Sequence, residues 1–218
     1  MINFFLKLFR FLFSEKKEVE CPQLVLTPLP PLPTLAEVYK DYQRQQDVGY
    51  GDKGTAHSYI PVYERLLEPY RHNSNVLELG FATGNSLCMW RDYFIGGNIY
   101  GIDKDKDRKL DGRLKDKVIN IFYADVTKEE CLLPFENIKF DVIIDDASHG
   151  LGDQVKSYNL FKNKLNSGGI YIIEDIKAID RTKKRFLELD KEKAVEIVDL
   201  RMEKGKSDDV LVVLKDLT

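Results

Sequence analysis

The chain has 218 residues, 43% hydrophobic and 32% charged, the make-up of one globular domain with a core of useful size and an appendage. Its net charge of −3 leaves no broad basic field for a phosphate backbone, which excludes nucleic acid as the primary partner. Cys21, Cys88 and Cys131 stand far apart, which argues against a zinc site or disulfide framework and points to a reducing, cytoplasmic compartment; no apolar run reaches the roughly 18 residues of a spanning helix.

Residues 1–14 read as an amphipathic helix. Asn3, Lys7, Arg10 and Ser14 share one side and the remaining surface is Phe, Leu and Ile. Two destinations fit: a peripheral seat on the inner membrane face, with Lys7 and Arg10 toward anionic headgroups, or packing on its own domain or a second subunit of a homo-oligomer. Residues 15–33 read as a linker. Five of the eight prolines fall between Pro22 and Pro33, which favours an extended spacer over a ligand for a proline-binding domain. Residues 34–74 form a helical cap segment: a helix over 34–46, capped by Thr34 with Glu37 three residues on, a Gly-rich loop GYGDKGT, and a second helix over 58–70.

From residue 75 to 218 strands alternate with helices. Strands are expected at 76–79, 98–103, 118–125, 140–146 and 169–175, with helices at 86–94, 153–165 and 180–190. KAVEIVDL and DVLVVLK close the chain as an antiparallel pair. Apolar strands separated by helices imply a Rossmann-like, doubly wound α/β fold: a mostly parallel seven-stranded sheet with an antiparallel last strand. In such sheets ligands sit at the carboxyl ends of the strands, where strand order reverses.

The first strand runs into LELGFATGNS. Gly80 and Gly84 allow a sharp turn and a close approach, and the helix after them aims free N–H groups at the same space. The spacing is Glu78-x-Gly80-x3-Gly84, which is not the GxGxxG of a dinucleotide site. Asp103 ends the second strand, 25 residues after Glu78, where a carboxylate can accept from both ribose hydroxyls. Asp125 ends the third, where it can accept from an adenine amino group. Three acids capping turns is the plain alternative. With all three at these strand ends, the sequence over about 75–215 resembles the class I S-adenosylmethionine methyltransferases, which implies S-adenosylmethionine as the cofactor.

Two further strand ends are acidic. IIDDASHG puts Asp145, Asp146 and His149 at the fourth, and IIEDI puts Glu174 and Asp175 at the fifth. On neighbouring strands these four carboxylates repel unless a cation or protons neutralise them. Oxygen ligands favour a hard divalent ion, Mg²⁺ or else Mn²⁺, held by Asp146, Glu174 and Asp175. Asp145 then faces the cofactor or the following loop. His149, three residues past Asp146, is placed as general base: the metal holds a substrate hydroxyl, His149 removes its proton, and the oxygen attacks the sulfonium methyl in line. The plain alternative is an Asp that caps a helix and a His that bonds to backbone.

Taken together, DKGTAHSY-x3-YE, LELG, GID, DDASH and GGxYxxED resemble the metal-dependent O-methyltransferases that modify sugars of macrolide antibiotics, the mycinamicin and demethylmacrocin type, and are similar to the cephalosporin-hydroxylase-like group. The resemblance runs from about Asp52 to Asp175. It implies Asp146, Glu174 and Asp175 as Mg²⁺ ligands, His149 as base, and a sugar or glycosylated small molecule as acceptor. DDASH stands where the family usually has DDGSH, and the family's larger N-terminal region is absent from the matched span. The resemblance also implies that the segment with Lys53, Thr55, His57, Tyr59 and Tyr63 closes over the cofactor and lines the acceptor pocket, with His57 and Tyr59 facing it. Tyr63 reads equally well as a half-buried helix residue; Trp90 and Phe94 read as core. Two other functions remain open to the sequence: a nicotinamide-dependent oxidoreductase, carried by the glycine turn and Asp103, and a non-catalytic membrane-tethered binding module, carried by the first 33 residues.

Overall fold

The computed structural model describes residues 31–44 and 51–217. The chain divides into two units, Met1–Leu32 and Pro33–Thr218. The expected helix over 1–14 and the linker as far as residue 30 lie outside the described residues. No helix among the described residues is long and apolar enough to cross a membrane.

Helix α1 (Leu35–Arg44) starts as its sequence dictates. Thr34 Oγ1 accepts from the Glu37 N–H at 3.2 Å, and the Glu37 carboxylate accepts from the Thr34 N–H at 2.8 Å, so two orphan donors are satisfied reciprocally. Helix α2 (Ile60–Leu67) carries Pro61 in its first turn, where the missing N–H costs nothing. Pro69 then sits in a 3₁₀ turn, Glu68–Tyr70, that ends the helical stretch.

The sheet follows: β1 (Asn75–Leu79), β2 (Asn98–Asp103), β3 (Ile119–Tyr123), β4 (Phe140–Asp145), β5 (Leu165–Ile173), β6 (Lys193–Asp199) and β7 (Val210–Asp216). Helices α3 (Asn85–Tyr93), α4 (Leu151–Phe161) and α5 (Ile179–Leu187) connect strands, and the short α6 (Arg201–Lys204) precedes β7. Strand order is β3-β2-β1-β4-β5-β7-β6. Strands β1 to β5 pair in parallel, whereas β7 runs antiparallel to both β5 and β6. Order reverses between β1 and β4, so the tips of β1, β2, β4 and β5 border the crevice that such a reversal opens.

Alternation sorts the strand residues into two cores. Val76, Val142, Ile144, Ile170, Ile172 and Val213 face one, under α1, α2 and α3. Leu77, Leu79, Ile143, Tyr171, Ile173 and Val212 face the other. Each side chain of this size stabilises by about 1.5–3 kcal/mol when fully buried, and burial of both faces is what holds a parallel sheet. Trp90 and Phe94 lie in the first core, as expected.

Strands β4 and β5 stop one and two residues short of the sequence expectation. The ladder continues for a single step past their ends: the Asp146 N–H donates to Leu79 O and the Glu174 N–H to Asp145 O, both at 2.9 Å. Asp175 cannot extend β5, because its φ of 55° is left-handed, a conformation Asp tolerates better than most residues and one often held under strain at functional sites. The acids thus sit on the turns at the strand tips rather than in the strands.

Candidate active site

A cavity of about 740 Å³ opens at the strand tips and is bordered by Lys53, Gly80, Asp103, Asp146 and His149. Gly80 makes the close approach possible. Its φ is +83°, and a Cβ there would lie 2.4 Å from both Ala147 Cα and Asp146 O, so the β1 turn nests against the turn leaving β4. Gly84 has a different task. It precedes α3 with φ +84°, and a Cβ would meet Leu114 at 2.3 Å; it serves packing and does not border the cavity.

Asp103 is held as a structural acceptor and a cavity wall at once. Its Oδ2 accepts from the Ala82 N–H at 2.9 Å and its Oδ1 from the Asp105 N–H at 2.8 Å. A smaller space of about 120 Å³ adjoins it, bordered by Gly80, Asp103, Ala124 and Asp125. The Thr127 N–H and hydroxyl both donate to Asp125 Oδ1 and hold that carboxyl below its usual range. Asp103 and Asp125, the latter two residues past the end of β3, therefore share one recess.

Glu78 and Asp145 do not reach the cavity. Glu78 is fully buried; Ser86 Oγ donates to it at 2.6 Å and Lys53 Nζ lies 3.3 Å away. Asp145 turns under the sheet tip instead of toward a cofactor. The Ser157 hydroxyl, the Tyr171 hydroxyl at 3.2 Å and the Ala147 N–H at 3.4 Å donate to it. Burial pushes its carboxyl up to about 6, and Ser157 and Ala147 only partly offset that.

Three of the four tip carboxylates, Asp146, Glu174 and Asp175, converge, with the buried Glu78 beside them and Asp145 turned away, and the chain carries its own cation among them. Lys53 is only 3% exposed, and its Nζ lies 2.8 Å from Asp146 Oδ2, 2.5 Å from Glu174 Oε1 and 3.3 Å from Glu78 Oε1. Burial opposes its charge, yet the carboxylates of Asp146, Glu174 and Glu78 outweigh burial and hold the ammonium well above the usual lysine range. Lys53 thus supplies one positive charge to this acid cluster from within the chain. The sequence showed four clustered carboxylates; it did not show a lysine 93 positions from Asp146 folding onto them. The Tyr63 hydroxyl also donates to Glu174, at 2.5 Å, which decides that residue for the site as well as for the core.

Asp175 forms a second node. His149 Nδ1 lies 2.9 Å from its Oδ2, and the Tyr59 hydroxyl donates to its Oδ1 at 2.7 Å. Although burial alone would raise it, these partners together with His57 hold the Asp175 carboxyl below its ordinary value. The same contact, against an opposing effect of burial, raises His149.

Three residues expected to face the cofactor lie elsewhere. Thr55 is exposed, and its hydroxyl donates to Gly51 O. Tyr59 is fully buried behind Asp175. His57 is 1% exposed; Lys206 Nζ lies 2.6 Å from its Nε2, and Asp209 Oδ1 lies 3.3 Å from its Nδ1. All three follow Lys53 in a turn that descends into α2; His57 and Tyr59 support the Asp175 turn from behind, whereas Thr55 only closes its own turn. Lys206 and Asp209 carry no sequence signal; they reach the site through the loop before β7.

The donor set suits a hard divalent ion. Two groups, Asp146–His149–Asp175 and Glu78–Asp146–Glu174, each offer ligand atoms within 4.8 Å of one another.

The sheet order and the antiparallel β7 define the Rossmann-like fold of the class I S-adenosylmethionine methyltransferases. Within that class the chain resembles sugar O-methyltransferases. It is 33% identical over 136 residues to the 8-demethyl-8-alpha-L-rhamnosyl tetracenomycin-C 2'-O-methyltransferase of Streptomyces olivaceus, a match over 57% of this chain and 35% of the relative. It is 33% identical over 135 residues to the demethylmacrocin O-methyltransferase of Streptomyces fradiae, over 56% of this chain and 33% of the relative. The chain thus spans about a third of the length of these relatives. The solved MycE methyltransferase of the mycinamycin pathway, in complex with Mg and SAH, superposes with a TM-score of 0.67 at 21% identity, over 85% of this chain and 55% of that one. No protein-family model matches the chain.

Proposed function

We propose that this protein is an S-adenosylmethionine- and Mg²⁺-dependent O-methyltransferase that modifies a hydroxyl on the sugar of a glycosylated small molecule. One observation carries the reading: a single cavity runs from Asp103 to Asp146 and His149, so a nucleoside acceptor site and an acid–imidazole pair open on the same space. The resemblance to rhamnosyl and macrocin methyltransferases supports the acceptor class, and the Mg and SAH held by MycE support the two cofactors.

Asp103 and Asp125 serve the ribose and adenine of the methyl donor, which brings an electrophilic methyl on sulfonium sulfur. Asp146, Glu174 and Asp175 would hold Mg²⁺, which would supply Lewis-acid stabilisation of the negative charge that develops on the acceptor oxygen. Asp175 fixes the His149 ring through Nδ1, which leaves Nε2 as the nitrogen that takes the hydroxyl proton. Tyr59 holds the other Asp175 oxygen, so ring and carboxylate are oriented before substrate arrives. Phe81, Met89 and Tyr39 supply the apolar part of the cavity wall.

The test is methyl transfer from S-adenosylmethionine to a rhamnosylated polyketide, with and without chelator. Transfer should stop in EDTA and return with Mg²⁺. Undiminished turnover in excess EDTA overturns the metal assignment, and tight NADH binding without S-adenosylmethionine binding overturns the reaction class.

A further inference from the structure

Lys53 belongs to the loop that precedes α2, yet its side chain reaches the centre of the acid cluster. The two candidate ligand groups share Asp146, and the Lys53 ammonium contacts all three members of one of them, Glu78, Asp146 and Glu174. Two of the three carboxylates assigned to Mg²⁺ above, Asp146 and Glu174, are therefore already in ion pairs. An ammonium and a divalent cation cannot both sit at contact distance on the same oxygens, because their own repulsion in a desolvated site is large.

We propose that the Lys53 ammonium and the divalent cation compete for Asp146 and Glu174. Lys53 is then a positioning residue: it holds the carboxylates together without metal and withdraws when metal binds. Its placement allows this. Lys53 borders the large cavity, so the ammonium has a solvated space to enter. The lysine stem is flexible and its charge is a compact, strongly hydrated point. Gly51, two residues before it, meets nothing within 4 Å at its Cβ position, so the loop has room to adjust. After withdrawal, Glu78 Oε2 keeps the Ser86 hydroxyl and Glu174 keeps the Tyr63 hydroxyl, so each acid retains a hydrogen-bond donor.

The inference rests on the metal reading of the proposed function, and the experiment separates the two. Full-length wild type, Lys53→Met and Lys53→Met/Glu78→Gln, each saturated with S-adenosylhomocysteine and stripped of metal, are titrated with Mg²⁺ and Mn²⁺ by calorimetry. The double variant removes one positive and one negative charge, so the formal charge of the cluster equals that of wild type. Competition predicts at least tenfold tighter binding in both variants. A mere change of field predicts tightening in Lys53→Met alone, and that result, or unchanged or weaker binding in the double variant, overturns the competition. Absence of any metal binding in all three overturns the metal reading with it. Should removal of Lys53 prevent folding, wild type still decides. The ¹⁵Nζ signal of a buried, slowly exchanging lysine should be present in EDTA and lost as Mg²⁺ saturates; its persistence overturns the proposal.

Discussion

His149 Nδ1 and Asp175 Oδ2 lie 2.9 Å apart, which joins the turn after β4 to the turn after β5 by a charge-assisted contact. In the proposed reaction this pair sets the pH response. A base works only when unprotonated. The Asp175 hydrogen bond, opposed by burial, raises the His149 imidazole above its ordinary 6.5, so it keeps its proton to a higher pH. The acidic limb of kcat/KM should rise through a midpoint above 6.5 rather than below it. His149→Ala should lower kcat by roughly 10²–10⁴-fold, the usual contribution of a general base. Its affinity for S-adenosylhomocysteine should stay within about twofold of wild type, since cofactor recognition is placed on Asp103 and Asp125. A midpoint below 6.5, or a variant with wild-type kcat, counts against His149 as base.

Asp103 offers a second measurement. Its two oxygens already take the Ala82 and Asp105 N–H groups, so Asn at this position keeps one acceptor and strands one donor. Asp103→Asn should weaken S-adenosylhomocysteine binding by roughly tenfold, about 1.4 kcal/mol, as read by calorimetry. Unaltered affinity would move the ribose site away from β2.

The sheet was legible because its strands are short apolar runs with Gly and Asp at their ends. Asp103, Asp125, Asp146 and His149 could be placed at strand tips from that pattern alone. What escaped was direction. Glu78 and Asp145 stand at the same tips but point into protein, toward Ser86 and Ser157, because side chains alternate across the sheet and neighbouring positions face opposite ways. Long-range charge escaped too. Lys53 reaches Asp146 from 93 positions away and Lys206 reaches His57 from 149, and no local period encodes such contacts.

Asp145 links that hidden burial to stability. Its carboxyl titrates at about 6 in the fold, against 3.8 unperturbed, with burial as the main cause. The folded state therefore binds its proton more readily than the unfolded state does. Above about pH 6 both states are ionised and the fold carries the full penalty, at most about 3 kcal/mol for a shift of this size. As pH falls from 6 toward 4 the folded carboxyl is protonated first and the penalty fades. Asp145→Asn removes the charge and keeps an acceptor for Ser157. It should raise the melting temperature at pH 7.5, and the gain should shrink toward pH 4. A gain that grows on acidification would contradict the burial argument.

Gly80 gives the sharpest steric case. Ala at this position adds a Cβ 2.4 Å from Ala147 Cα and from Asp146 O, and backbone on a neighbouring strand tip cannot step aside as a side chain can. The φ of +83° adds the left-handed strain that an L side chain meets there. The turn after β1 and the turn after β4 must then separate, and Asp146 moves with its own carbonyl. Gly80→Ala should cost about 2 kcal/mol or more in folding stability by urea denaturation, within the range for strain at a special backbone position. In the folded fraction it should also weaken S-adenosylhomocysteine and Mg²⁺ binding together, because one displacement disturbs both the cavity wall and a proposed metal ligand. Gly84→Ala, at the same φ but against the flexible end of Leu114, should lose stability while leaving Mg²⁺ affinity near wild type. Equal metal losses in the two variants would show that backbone strain alone, not the Asp146 contact, transmits the effect.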